Sequence, residues 1–157
     1  VGGLEAARAT DVIQLVTLLD RLEPDAGAAA GRAAALAHRG RVDEALEAVD
    51  GALPGASGAE RPLLLAHGAR LADAGDRPAR AAALRGRLLA DHPDAPEAAD
   101  AALALARWKA RSPEGVAEAV GLLETLIVER PDSPVVPAAR RILDRLEAGG
   151  STGGEGR

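Results

Sequence analysis

The sequence predicts an all-α fold of about eight antiparallel helices stacked as repeated hairpins. Three observations carry that expectation: a helix-forming composition, punctuation by Gly and Pro at short intervals, and self-similarity along the chain. Of the 157 residues, 47% are hydrophobic but only 1% aromatic, with one Trp and no Phe, Tyr, Met or Cys. The apolar mass is therefore Ala, Leu and Val. Roughly a quarter of the chain is alanine, the strongest helix former, while the β-branched and aromatic residues that strands favour are scarce.

Apolar residues at i, i+3, i+4 and i+7, read with start and stop signals, place the helices in order. The first is expected over Leu4 to Leu22, with Val12, Leu15, Val16, Leu19 and Leu22 along a wide stripe that ends ahead of Pro24. The second runs from Ala28 to Arg39 and stops at Gly40, a residue suited to a left-handed cap. Val42 to Leu53 follows and ends at Pro54. The segment Pro54 to Gly58 reads as the least ordered internal loop. Arg61 to Ala74 ends at Gly75, and Pro78 sits in the first turn of the next helix, where its missing N–H is not needed. That helix reaches Asp91 before His92-Pro93, and Pro96 and Pro113 mark two further starts. The last two helices, Val116 to Glu129 and Pro134 to Ala148, flank a Pro-rich linker. Residues 149–157 form a Gly-rich tail expected to be disordered. The division expected is an N-terminal helix over 1–26, helical hairpins with a C-terminal capping helix over 27–148, and the tail.

Self-similarity at 20 to 50 residues is the mark of a repeat array. Stepping by about 38, Leu84, Leu88, Pro93, Asp94 and Pro96 recur as Leu122, Leu126, Pro131, Asp132 and Pro134. Stepping back by about 35, Leu71, Gly75, Leu84 and Leu88 match Leu36, Gly40, Val49 and Leu53. Ala33, Gly68 and Ala106 fall at equivalent positions where a small side chain lets helices approach. Leu53, Leu88 and Leu126 then fill the seam. A helix-interior glycine costs about 1 kcal/mol relative to Ala, so Gly68 points to close packing.

The fragments Leu64-x3-Gly68-x2-Leu71-x3-Gly75-Asp76 and Gly40-Arg41-Val42-Asp43-Glu44-Ala45 resemble tetratricopeptide repeats (TPR) over roughly Ala28 to Ala148. The aromatic positions of that pattern are empty. Leu71 stands where Tyr is common, Lys109 takes the equivalent place in the third unit, and Pro113 replaces its turn glycine. The resemblance implies a right-handed α-solenoid whose concave groove holds a partner peptide or helix. The linkers His92 to Ala98 and Arg130 to Pro134 resemble those of bacterial envelope members of the family, of the barrel-assembly lipoprotein and Tol-Pal coordinator kinds. They lean the expected location towards periplasm or cell envelope over cytoplasm.

Charge and motifs exclude much. A net charge of −5, from 19 basic and 24 acidic residues, argues against a dedicated polyanion binder. Trp108 is the one base-stacking side chain, so nucleic acid is disfavoured. The run Val12 to Leu22 is interrupted by Gln14, Thr17, Asp20 and Arg21 and falls short of the ~20 apolar residues of a membrane helix. Without Cys there is no disulfide or thiolate chemistry. The chain opens Val1-Gly2-Gly3 and contains no Met, which predicts a processed product or a fragment. Lys109 as the only Lys, with Asn absent, points to a GC-rich bacterial genome.

No catalytic constellation emerges. Gly55-Ala56-Ser57-Gly58-Ala59 lacks the final glycine and the preceding strand of a nucleophile elbow, and Lys109 has no phosphate-binding loop before it. His38, His67 and His92 do not pair at metal-ligand spacing. His67 falls where the repeat wants an apolar residue, Leu105 being its counterpart, so it reads as a packed neutral histidine or a groove contact. His38 reads as a helix C-terminal cation, and His92 as an exposed loop residue. Asp43, Glu44 and Glu47 read as a solvated helix N-terminus rather than an acid-base pair. Arg32, Arg39, Arg41, Arg70, Arg77, Arg80, Arg85 and Arg87 could make a basic strip for an acidic peptide, but Glu44, Glu47, Asp73 and Asp76 are interleaved with them. Trp108 aligns with Arg70 and reads either as packing or as a groove hot spot. The expectation is a non-catalytic assembly scaffold with no cofactor and no metal. Arg32, His67, Arg70 and Trp108 are its candidate partner-binding residues. Two alternatives stand beside it: the docking or regulatory end of a larger enzyme, and self-association through the apolar face of Leu4 to Leu22.

Overall fold

A computed structural model describes the backbone of residues 2–151 and the side chains of residues 11–149. The described residues are all-α, with no strand. The helices are α1 (Gly2–Leu19), α2 (Pro24–His38), α3 (Val42–Ala52), α4 (Glu60–Ala74), α5 (Pro78–Asp91), α6 (Ala98–Lys109), α7 (Val116–Glu129) and α8 (Val136–Ser151), with a 3-10 turn over Pro113–Gly115 before α7. Residues 152–157, most of the expected tail, lie outside the described residues, while Gly149 to Ser151 continue α8.

Boundaries differ from the sequence reading where proline and capping decide them. Pro24 opens α2 at its first turn rather than merely closing α1, because a proline N–H is dispensable there. The helical ladder of α1 ends at Leu19, and the chain tightens through bonds from Arg21 N–H to Leu18 and from Leu22 N–H to Leu19. Both α2 and α4 end in Schellman caps. Arg41 N–H donates to Leu36 and Gly40 N–H to Ala37, with Gly40 left-handed at φ 77°. In the second cap Arg77 N–H donates to Ala72 and Asp76 N–H to Asp73, and the left-handed residue is Asp76 at φ 56° rather than Gly75. Gly75 answers a different need, since a Cβ there would overlap the Val42 side chain. The α6–α7 connection lacks such a cap. There Ser112 caps the start of the 3-10 turn, accepting the Gly115 N–H at 3.2 Å, and Gly115 approaches the Lys109 carbonyl so closely that a Cβ has no room.

The chain forms two compact units, residues 1–84 and 85–157. In the first, α2 packs on α3 and α4, α3 packs on α4, and α1 lies against α2. Its core is made of small and aliphatic side chains: Ala29, Ala30 and Ala33 of α2, Ala45, Leu46 and Val49 of α3, and Leu64, Leu65, Ala69 and Ala72 of α4. A Cβ on Gly68 would stand 3.2 Å from both Val49 and Leu84 side-chain carbons, so the glycine permits the approach of its neighbours. In the second unit α7 packs between α6 and α8 over Ala102, Ala106, Ala119, Leu123, Leu126, Ala139 and Ile142. The equivalent positions Ala33, Gly68 and Ala106 are all buried, as are Leu53, Leu88 and Leu126.

Polar contacts repeat at nearly the sequence period. Glu60 accepts the Glu23 N–H at 2.9 Å across 37 residues. His67 Nε2 lies 3.3 Å from the Ala30 carbonyl oxygen, again across 37 residues. Arg130 donates to the Pro93 carbonyl across 37 residues, and Arg77 to Asp43 across 34. The first ties the α1–α2 linker to the start of α4, and the third ties one inter-helix linker to another.

Candidate functional site

The first unit contains a cleft of about 530 Å³ walled by α1, α2 and α4, within the range of ligand sites. Its floor is built from residues with little or no side chain. Gly31, Ala34, Ala35 and Ala37 come from α2, and Ala74 and Gly75 from the end of α4. These small residues follow from the helix register, since Gly31, Ala34, Ala35 and His38 fall at i, i+3, i+4 and i+7. Leu15 and Val12 of α1, Leu71 of α4 and Val42 of α3 supply the aliphatic surface. The polar groups are few: Asp11 and Gln14 on α1, His38 on α2, and His67 and Arg70 on α4.

His67 is the best-buried of these polar groups, with 6% of its surface exposed. Burial, with a smaller contribution from the Arg70 charge, lowers its pKa to about 4 against the opposing bond to Ala30. The imidazole is neutral at pH 7. A carbonyl only accepts, so the proton sits on Nε2 and Nδ1 is the remaining acceptor. His67 thus packs from α4 against α2 and also lines the cleft. Arg70, one turn further along α4, is exposed at the same cleft.

The other two candidates are not brought to this site. Arg32 is exposed on α2 beside Gly31 but does not line the cleft. Trp108 is half-buried on α6, in the second unit. Conversely, His38, exposed in the last turn of α2, joins the cleft wall. Sequence reasoning missed that grouping because the cleft depends on how α1 lies over α2. The available signal was the spacing of His38 from Gly31 and Ala34 on one face.

Four other arginines are paired elsewhere. Arg41 pairs with Glu44, Arg77 with Asp43, Arg80 with Asp50 and Arg87 with Asp91, so the arginine strip is interleaved with acids in space as in sequence. Glu60 is buried, and hydrogen bonds from Ser57, first from its backbone N–H, and from Glu23 hold its carboxyl below the usual carboxylate range against the effect of burial. That carboxylate and the buried Ala56 pin the Pro54 to Gly58 loop, which the sequence presented as loose. His92 is half-buried, with its N–H on the Leu88 carbonyl. Among the described residues no group of three His, Asp or Glu could hold a metal ion, and no helix is long and apolar enough to cross a membrane.

Comparison of the chain with protein-family models, with curated proteins and with solved structures finds no match.

Proposed function

We propose that this chain is a non-catalytic scaffold of tetratricopeptide-like helical repeats, and that the cleft over α2 holds a partner peptide or helix through its aliphatic side chains. The observation that carries this reading is the cleft itself. An Ala- and Gly-floored, Leu- and Val-walled groove with a few polar groups at hand suits aliphatic side chains and the close approach of a backbone. The repeat reading is supported by the equivalent burial of Ala33, Gly68 and Ala106 and by polar contacts at separations of 34 to 37 residues. A bacterial envelope location rests on the linker resemblance alone.

The test is selection of binding peptides from a random display library against the whole chain, followed by titration of a selected peptide. Ala35 and Ala74 line the cleft yet are exposed, so Ala35→Glu and Ala74→Glu place a charge in the groove without disturbing the core. Each is expected to weaken binding at least about tenfold, a loss of about 1.4 kcal/mol. Arg32→Ala and Trp108→Ala, which alter candidates outside the cleft, are expected to leave it unchanged. Failure to select any peptide, or retention of wild-type affinity in both glutamate variants, overturns the reading.

A further inference from the structure

The cleft contains one polar group that the fold leaves half satisfied, the imidazole of His67. From α4 its Nε2 donates to the Ala30 carbonyl of α2 at 3.3 Å, which leaves Nδ1 as an acceptor with a lone pair in the plane of the ring. Among the described residues no donor meets Nδ1. Nor is that atom sealed away from solvent, and the open space that His67 lines is the cleft. Burial holds the ring neutral at pH 7, whereas a protonated ring would carry donors on both nitrogens and accept nothing. The cleft therefore presents an acceptor on a side chain only 6% exposed, where an unmet acceptor costs more than at an open surface. Beside it the floor is bare. Gly31 follows Ala30 in sequence, and a Cβ placed on it would meet no atom within 4 Å, so the floor next to the His67–Ala30 contact leaves room for a peptide backbone.

We propose that the cleft takes an extended peptide rather than a helix, and that one backbone N–H of that peptide donates to His67 Nδ1. The inference rests on the cleft being the peptide-binding site, and it narrows what the site accepts. Inside an α-helix every N–H beyond the first turn is already bonded to the carbonyl four residues back, so a helix laid along the groove has none to give. An extended segment presents unpaired main-chain N–H groups along its length. Its side chains then meet the aliphatic surface of Val12, Leu15 and Leu71.

The test uses the whole chain and a peptide selected against it, resynthesised with each backbone N–H in turn replaced by an N-methyl group. Every version is titrated against the wild type and against His67→Leu, a substitution for which Leu105 at the equivalent position is the precedent. The expected result is one position at which methylation weakens binding to the wild type at least about tenfold but leaves binding to His67→Leu unchanged. Should His67→Leu fail to fold, nitrogen magnetic resonance of the wild type carrying isotope-labelled histidine replaces it. The Nδ1 resonance of His67, assigned through His38→Gln and His92→Gln, is then expected to move on saturation with the unmodified peptide. Equal losses in both proteins at every position, or an Nδ1 resonance that the peptide does not move, overturn the proposal while peptide binding itself stands. Failure to select any peptide removes the binding site instead, and this contact falls with it.

Discussion

At the residue scale the most informative side chain is His67, because a single group serves both the α2–α4 contact and the cleft. Its folded pKa of about 4 lies below the ordinary histidine value of 6.5, so between these values the unfolded chain binds more protons than the folded one. Stability is then fully present above pH 6.5 and declines as pH falls towards 4. At 1.36 kcal/mol per pKa unit the whole decline amounts to about 3 kcal/mol. Urea midpoints measured at intervals from pH 7 to pH 4 are expected to follow this slope, and His67→Leu is expected to flatten it. Glu60 acts in a different window, since its lowered pKa withdraws stability only as pH falls below the usual value of 4.5. An unchanged slope in His67→Leu would show that another group carries the acid response. The sequence marked His67 as out of place among apolar residues and left its role open between packing and groove. Its role in both depends on α2 and α1 lying beside it, which one chain position cannot encode.

At the scale of the element, glycines separate into those the packing requires and those it does not. Gly75 and Gly115 meet Val42 and the Lys109 carbonyl too closely for a Cβ, whereas Gly51, Gly86 and Gly121 face open space. The last three recur at intervals of 35 residues, in α3, α5 and α7. Nothing in the structure explains that recurrence. For Gly86→Ala and Gly121→Ala, which lie well inside their helices, a gain of about 0.5 to 1 kcal/mol each is expected from reduced freedom of the unfolded chain. Gly75→Ala should lose about 1 to 3 kcal/mol, because the Val42 side chain has to shift. Gly115→Ala should lose at least as much, since the obstacle is backbone. Thermal melts of the four variants check the ordering, and a loss of stability in Gly121→Ala would contradict the open space around it. Some helix starts and stops were legible from Pro and Gly, as at Pro78 and Gly40, whereas at Pro24 the proline opens α2 four residues before the expected start. The left-handed Asp76 and the Ser112 cap were not, because the first depends on which carbonyls the end of α4 leaves unpaired and the second on which N–H groups open the 3-10 turn at Pro113–Gly115.

For the molecule as a whole, the all-α class was legible from composition, Gly and Pro punctuation and self-similarity together, and the periodic small residues marked where helices meet. What the sequence left open was the cleft, since its walls come from α1, α2 and α4 and the lie of α1 is set by a short turn. The same small residues determine what holds the fold together. Ion pairs contribute little, since Arg77, Asp43, Arg80 and Asp50 keep 41 to 73% of their side-chain surface in solvent, where such pairs are worth about 0 to 1 kcal/mol. Stability then rests on close contacts of Ala with a few fully buried large aliphatics, among them Leu64 in the first unit and Leu123 in the second. An Ala-rich surround cannot collapse far into a new void, because its side chains have no rotamers with which to fill it. Leu64→Ala and Leu123→Ala are therefore each expected to lower stability by about 2 to 5 kcal/mol. Raising NaCl from about 0.02 to 1 M, which shortens the screening length to about 3 Å, should shift it by less than about 1 kcal/mol. Urea unfolding of the wild type at both salt concentrations and of the two variants at one decides the matter. A large loss on adding salt, with small losses from the Leu variants, would mean that the surface charge network rather than the aliphatic seams holds the helices together.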